Sequence, residues 1–267
     1  MVLKNQTARS HLQAVFYTNR IMSTSIYWAL VDFDQAALEV KGFLSPAELQ
    51  KYSTFRFPKR RDEWLLGRWT SKTLVHSLPA YQHYSLDQIV IHNAPDGAPY
   101  IQLPDRATPA ECLSISHSGS LALCALSPGF DLQVGTDLEK VEARTETFIM
   151  DYFTATEQQL VNTCPADTRA LIVTLIWSAK ESMLKALGVG LRRDTRMVEV
   201  RALDGILPAG KDQGKWQNIQ LGEKAASDRA WAAWWQRRDP FVITLAGFAA
   251  TPAKIQSARL VEKQVGG

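Results

Sequence analysis

Residues 176–188 read IWSAKESMLKALG, and their spacing predicts an amphipathic helix that ends at Gly188. Trp177, Glu181 and Lys185 follow one another at four-residue intervals, so they form one ridge on the helix surface. A carboxylate and an ammonium beside a large aromatic ring could hold a metal ion and steady a phosphate. For this helix taken alone, an ordinary Glu-to-Lys surface pair worth roughly 0.2–0.5 kcal/mol is the simpler interpretation.

Composition limits the class of protein before any motif is considered. The chain has 267 residues, 46% hydrophobic content and a net charge of +3, as expected for one large globular domain or two small ones. This charge is too small to argue for duplex nucleic acid, although it suits an anionic ligand or an acidic partner. We find no apolar run of transmembrane length and no signal peptide, so we expect neither membrane insertion nor export.

Cysteine usage points to a reducing compartment. Cys112, Cys124 and Cys164 are odd in number and lack the spacing of metal ligands. We therefore expect reduced thiols and a cytoplasmic location.

The chain divides into an extension, two halves and a tail. Residues 1–22 are mostly polar and without pattern, which predicts a disordered extension and leaves open whether translation starts at Met1 or Met22. The turn-forming residues Ser127, Pro128 and Gly129 mark a boundary near the middle of the chain. We therefore expect an N-terminal half at 23–130, a C-terminal half at 131–252, and a poorly ordered tail at 253–267.

Two helix starts are predicted in the first half. Ser45, Pro46 and Glu48 have the spacing of a capping box. A second helix begins near Pro58, and its first turn carries the basic cluster Lys59, Arg60 and Arg61. Free backbone amides beside this cluster would favour a phosphate, whereas a solvated charged face is the simpler interpretation of the segment alone.

A predicted hairpin spans residues 112–126, with Ser116, His117 and Ser118 at its tip. These hydroxyl and imidazole groups could bind an anion. Serine and glycine are also common turn residues, so the tip alone does not establish a site.

The strand at 132–140 places two carboxylates on one face. Asp137 and Glu139 are two residues apart, so their backbones lie roughly 6.5–7 Å apart and both side chains could reach one hard cation. The alternative is a solvent-exposed edge near Lys140 and Arg144. Downstream, Thr154 and Glu157 form a second predicted capping box.

Taken together, the motifs resemble the 4′-phosphopantetheinyl transferase superfamily in its larger, Sfp-type form with two tandem halves. The matching segments are 114–118, 134–139, 153–157 and 177–185, supported in the first half by 45–46 and 55–68. The resemblance implies an α+β fold of two similar halves related by a pseudo-twofold axis. Each half would be a small antiparallel sheet packed with helices.

The resemblance also implies roles for individual residues. Asp137, Glu139 and Glu181 would bind Mg²⁺, with Mn²⁺ as a possible substitute. Lys185 would contact the phosphates of coenzyme A (CoA), with Lys180 as a weaker candidate. The 3′-phosphate end of CoA would be held by Ser116, His117, Lys51, Lys59, Arg60 and Arg61. Glu181 would serve as the base, directly or through water, with a metal-bound water as the alternative base.

Two positions depart from the pattern of the family. Thr136 stands where an aliphatic residue is usual, and it should face away from Asp137. Ala98 stands where relatives often have lysine, which removes one expected phosphate contact. The basic cluster at 59–61 is the predicted substitute.

The implied reaction is transfer of 4′-phosphopantetheine from CoA to a serine of an apo acyl or peptidyl carrier protein, with adenosine 3′,5′-bisphosphate as the second product. The partner would be an acidic helical domain, and the resemblance implies a monomeric enzyme. A Mg²⁺-dependent phosphohydrolase and a non-catalytic CoA-binding relative are the alternatives. The carrier and its pathway, whether fatty-acid, polyketide or non-ribosomal peptide, are left open.

Overall fold

The first half of the chain forms helices packed on a small sheet. The computed structural model describes residues 25–32, 40–106, 108–129, 131–204, 214–225 and 227–265, so the predicted extension at 1–22 lies outside the described residues. The elements of this half are β1 (Ser25–Asp32), α1 (Val40–Phe43), α2 (Pro46–Ser53), α3 (Pro58–His76), β2 (Val90–Asn93), β3 (Pro99–Gln102), β4 (Cys112–Ser118) and β5 (Leu121–Ser127).

The second half repeats this plan with a larger sheet. Its elements are β6 (Leu132–Lys140), α4 (Glu146–Tyr152), α5 (Ala155–Thr163), α6 (Arg169–Ala186), β7 (Val198–Leu203), β8 (Gln217–Glu223), β9 (Ala230–Arg238) and β10 (Phe241–Ala249). The tail adds α7 (Pro252–Gln256) and β11 (Arg259–Glu262). The sheets have the strand orders β11-β1-β5-β4 and β6-β10-β9-β8-β7, and β2 and β3 form a separate pair. The predicted α+β class with antiparallel sheets is confirmed, and the parallel pairing of β11 with β1 is an exception.

Both predicted capping boxes are present, and each supports the same buried ion pair. Ser45 caps α2 with Glu48, and Thr154 caps α5 with Glu157. Each glutamate accepts a bond from a fully buried lysine, Lys72 on α3 or Lys180 on α6. Each also accepts a bond from a backbone amide at β2 or β7. We call these contacts the glutamate–lysine pair of each half; their repetition is an internal sign of two similar halves.

Side chains of β4 join the two halves. Cys112 Sγ accepts a hydrogen bond from the amide of Val134 at 3.3 Å, and Ser114 Oγ accepts one from the amide of Thr136 at 3.0 Å. Alternate residues of a strand face the same way, so β4 presents both groups to β6.

A glycine brings β6 against α6. A Cβ at Gly135 would lie 1.9 Å from the carbonyl oxygen of Ser182 and 2.5 Å from the amide of Ala186. Only glycine permits this approach, and it sets the distance between the carboxylates of β6 and the ridge of α6.

Two features differ from the sequence predictions. The described part of the tail, residues 253–265, is ordered, because Ile255 of α7 is buried and β11 pairs with β1. The helix α4 was missed, because its seven residues are too few to show a helical period. Within the described ranges, no helix has the length and apolar character needed to cross a membrane.

Candidate active site

The centre of the site is a buried aspartate paired with a lysine. Asp137 is 4% exposed, and its Oδ1 lies 2.7 Å from Nζ of Lys185. Ser116 donates a 2.9 Å bond to the same oxygen. Lys185 also donates to Ser116 Oγ and to the carbonyl of Thr136. Strand β6 and helix α6 therefore bring together the two charges that the sequence placed on one strand face and one helix ridge.

Glu139 lies on the same side of β6 and is held by two donors. Trp177 Nε1 donates to its Oε1 at 3.3 Å, and Arg144 Nη2 donates to its Oε2 at 3.4 Å. Burial raises the pKa of Glu139, and the charge of Asp137 raises it further. The predicted common face of Asp137 and Glu139 is thus confirmed, and it points towards α6.

Glu181 completes a group of three carboxylates. Burial, followed by the charge of Asp137, raises the pKa of Glu181 to about 7, although Lys185 partly opposes the shift. The charge of Glu139 raises it further. The described residues donate no hydrogen bond to this carboxylate, in contrast to Asp137 and Glu139. The negative charge of the three carboxylates is therefore only partly neutralised by the neighbouring cations.

The donor set suits a hard cation that retains water. Oδ2 of Asp137 is buried and receives no hydrogen bond from the described residues. No group of three or more histidine, cysteine or acidic side chains in those same ranges forms a ready-made metal cluster. Mg²⁺ is usually bound by only one or two carboxylates together with substrate phosphates and water, so these residues fit Mg²⁺ without a closed protein cage.

A cleft of about 400 Å³ opens next to this group, between the two halves. Lys185 lines one part of it, and residues 96–99 line another, including Ala98. Arg192 donates hydrogen bonds to the carbonyl oxygens of Asp96 and Gly188, one from each half. Among the described residues, Arg192 rather than the basic cluster therefore contacts the loop in which Ala98 stands in place of lysine.

Ser116 and His117 lie on opposite sides of β4. Ser116 joins the buried carboxylates, whereas His117 is exposed and borders a second cleft of about 220 Å³ with Lys59. The part of the imidazole ring that faces α3 is desolvated, which lowers the pKa of His117 despite the opposing charge of Glu63. Strand alternation separates these neighbours, so Ser116 faces the carboxylates and His117 faces the second cleft.

The remaining basic candidates occupy different surroundings. In the basic cluster, Lys59 pairs with Glu63 at 3.9 Å, and Arg61 contacts Asp62. Arg60 is exposed on the same turn. These side chains form a largely solvated face around the second cleft.

Lys51 borders a third cleft, of about 280 Å³, together with Arg68, which the sequence analysis missed. Arg68 is 6% exposed, stacks on Trp64 at 4.8 Å and bonds to Asn93 at 2.8 Å. Its Nε has no hydrogen-bond partner in the described part of the chain. Trp64, Arg68 and Lys72 are spaced four apart, which is the signal that could have identified Arg68.

Lys180 requires a correction, because it does not contact any of these clefts. Its side chain is fully buried, and Nζ lies 2.6 Å from Glu157 and 2.8 Å from the carbonyl of Val198. The ammonium group therefore belongs to the glutamate–lysine pair of the second half and is enclosed away from any phosphate.

Comparison with known proteins agrees with this arrangement. Residues 133–246 match the family model of the 4′-phosphopantetheinyl transferase superfamily. The chain is 27% identical to the 4′-phosphopantetheinyl transferase HetI of Nostoc sp., over 65% of this chain and 73% of that protein. It is 32% identical to the 4′-phosphopantetheinyl transferase Sfp of Bacillus subtilis, over 56% of this chain and 62% of Sfp.

Among solved structures, a holo-(acyl-carrier-protein) synthase from Bacillus anthracis in complex with CoA (3′,5′-ADP) overlaps with 45% of this chain and 96% of that chain. The overlap has a TM-score of 0.35 and 18% sequence identity, which is too low to bear on the fold.

Proposed function

We propose that the chain is a 4′-phosphopantetheinyl transferase of Sfp type, which transfers 4′-phosphopantetheine from CoA to a serine of an apo carrier protein. The observation that carries the proposal is the convergence of Asp137, Glu139, Glu181 and Lys185 beside the cleft between the halves. Charged groups of this kind suit a reaction in which a phosphoryl group is positioned and its charge is neutralised.

In the proposed reaction, the hydroxyl oxygen of the carrier serine bonds to the phosphorus that bears the pantetheine arm. The bond from this phosphorus to the bridging oxygen of the pyrophosphate breaks, and adenosine 3′,5′-bisphosphate leaves. Lys185 lies where it could stabilise negative charge on the departing phosphate. Its three acceptors in the free protein hold the ammonium in place before substrate binds.

We propose Asp137, Glu139 and Glu181 as the residues that would hold Mg²⁺. When bound, the ion would supply positive charge that offsets the pyrophosphate and the crowded carboxylates. The proposed base is Glu181, which must be ionised to accept the serine proton. Its pKa of about 7 without a cation means that both protonation states are populated at neutral pH. Nearby positive charge would favour the ionised form.

The proposed sites for the 3′-phosphate end of CoA are the two smaller clefts of the first half. His117 and Lys59 line one of them, and Lys51 lines the other with Arg68. The basic cluster would contribute long-range attraction through Arg60 and Arg61. Arg68 is the stronger candidate for a direct contact, because its guanidinium group is already desolvated and lines the cleft, while its Nε faces Glu48 Oε1 at 3.7 Å.

The proposed partner is an acidic carrier domain. The chain carries a net charge of +3, and the exposed side chains of Tyr152 and Leu191 line a cleft with Arg193 and Trp177. Apolar side chains beside an arginine suit a helical domain with acidic side chains, while Asp151 and Asp194 line the same cleft. Residues 151–158 run from the end of α4 into α5, next to this surface. The monomeric state and the cytoplasmic location stay predictions.

The first experiment is intact-mass analysis of an apo carrier protein incubated with this protein, CoA and Mg²⁺. We expect a gain of about 340 Da that is lost with chelator and with Glu181→Gln. Glu146→Gln is the matched control, because the side chain of this glutamate is 71% exposed and its ion-pair partner among the described residues is Arg169. CoA binding without transfer to any carrier would indicate a non-catalytic relative. CoA cleavage without a carrier would indicate a hydrolase.

A further inference from the structure

Trp177 and Trp69 hold corresponding positions in the two halves. Each lies three residues before the lysine of its glutamate–lysine pair, on α6 or α3. Each ring packs edge-on against a phenylalanine, Phe148 or Phe43, with ring centroids 5.0 Å apart in both cases. The two tryptophans share this contact with phenylalanine, and Trp177 also packs against Tyr152 with ring centroids 5.2 Å apart. Trp69 therefore serves as a control for the loss of indole packing on phenylalanine.

The indole N–H groups differ in their partners. Trp177 Nε1 donates to Glu139 Oε1 at 3.3 Å. Trp69 Nε1 is buried and finds no acceptor among the described residues. Packing alone thus suffices to keep a tryptophan at this position. The hydrogen bond of Trp177 is an addition that occurs only in the half that carries the carboxylates.

The other oxygen of Glu139 is held from a different element. Arg144, in the segment between β6 and α4, donates from Nη2 to Oε2 at 3.4 Å. The guanidinium group of Arg144 stacks on Phe148 at 5.3 Å, and the same phenylalanine supports Trp177. Each oxygen of the Glu139 carboxylate consequently accepts one hydrogen bond. The side chains of both donors pack against the ring of Phe148 on α4.

We propose that Trp177 and Arg144 are positioning residues, which orient the Glu139 carboxylate for a divalent cation. The inference rests on the proposed function. Donors behind a ligating carboxylate fix its rotation, and loss of such a partner typically weakens metal binding by about 10–100-fold. The N–H of Trp177 has no other acceptor in the described structure, so its removal isolates this contribution.

The test is Mn²⁺ binding, measured by electron paramagnetic resonance on chelator-treated full-length protein. Trp177→Phe keeps an aromatic ring but removes the N–H, and we expect Mn²⁺ to bind at least about tenfold more weakly. Trp69→Phe is the matched control and should retain wild-type affinity. In the transfer assay, Trp177→Phe should raise the Mg²⁺ concentration for half-maximal rate by a similar factor, while kcat at saturating Mg²⁺ returns close to wild type.

Equal Mn²⁺ affinity in Trp177→Phe and Trp69→Phe would overturn the inference. If Trp177→Phe does not fold, the Mn²⁺ affinity of Arg144→Gln tests the inference instead. The Arg144 side chain is half-buried and lies outside the core, so we expect this variant to fold. Unchanged Mn²⁺ affinity in that variant would also overturn it. If the wild-type protein transfers phosphopantetheine and the Asp137→Asn variant binds Mn²⁺ with wild-type affinity, the inference is overturned and the proposed transferase function stands. A wild-type protein with no transfer activity would instead remove the proposed function.

Discussion

Gly135→Ala is the substitution that most directly tests how the fold builds the site. The added Cβ would lie 1.9 Å from the carbonyl oxygen of Ser182 and 2.5 Å from the amide nitrogen of Ala186. Both atoms belong to the backbone of α6, so no side-chain rotation relieves the contact. Because Cβ atoms do not approach other atoms closer than 3.0 Å, β6 and α6 must separate by about 1 Å.

This displacement should affect both stability and activity. Inserting a methyl group into a packed contact costs about 1–3 kcal/mol in the free energy of unfolding, and a rigid backbone contact belongs at the upper end. The displaced elements carry Asp137 and Glu139 on one side and Glu181 and Lys185 on the other. A misplacement of about 1 Å in a catalytic group can reduce the rate about 10²-fold.

Urea denaturation and the carrier mass assay measure the two effects separately. Gly42→Ala is the matched control, because a Cβ at that exposed helical position meets nothing within 4 Å. We expect it to be neutral or slightly stabilising. A Gly135→Ala protein with wild-type unfolding free energy and wild-type transfer rate would refute the close approach of β6 to α6.

Two further predictions concern buried charges. Lys180→Met leaves Glu157 buried without its cation, so urea denaturation should show a loss of about 3–5 kcal/mol in the free energy of unfolding. Lys72→Met should cause the same loss in the first half. A stable Lys180→Met protein with weakened CoA binding by calorimetry would instead assign Lys180 to the phosphate contacts. The pKa of Glu181 is raised from 4.5 to about 7 in the metal-free protein. Its contribution to stability is therefore complete below about pH 4.5 and is lost as the pH rises through 7. Glu181→Gln should remove this component from the pH dependence of unfolding in chelator, and an unchanged pH profile would contradict the assignment.

Local patterns were sufficient for much of the fold and for the centre of the site. The capping boxes at Ser45 and Thr154 depend on contacts three residues apart, and both are formed as expected. The helical period placed Trp177 and Lys185 on one ridge. The strand period placed Asp137 and Glu139 on one face. These inferences held because helix and strand geometry fix the direction of neighbouring side chains.

The same periodicities also indicate where Lys180, Ser116 and His117 point. Lys180 lies outside the ridge of Trp177, Glu181 and Lys185, so its side chain had to point elsewhere; it is fully buried against Glu157. Ser116 and His117 are adjacent on a strand, so they had to face opposite sides. In both cases the family motif grouped residues that the backbone separates.

The sequence by itself determined the helix and strand periods, the caps and the residues able to carry charge. Only the tertiary structure decided which charges meet, because Asp137 contacts Lys185 across 48 positions of the chain and β11 reaches back to β1 near its start. Burial, too, is determined only by the tertiary structure. The pKa of Glu181 depends on Asp137 and on the exclusion of water, and neither follows from the neighbours of Glu181 along the chain. Contacts between distant segments and the loss of solvent are properties of the packed chain, and local geometry cannot supply them.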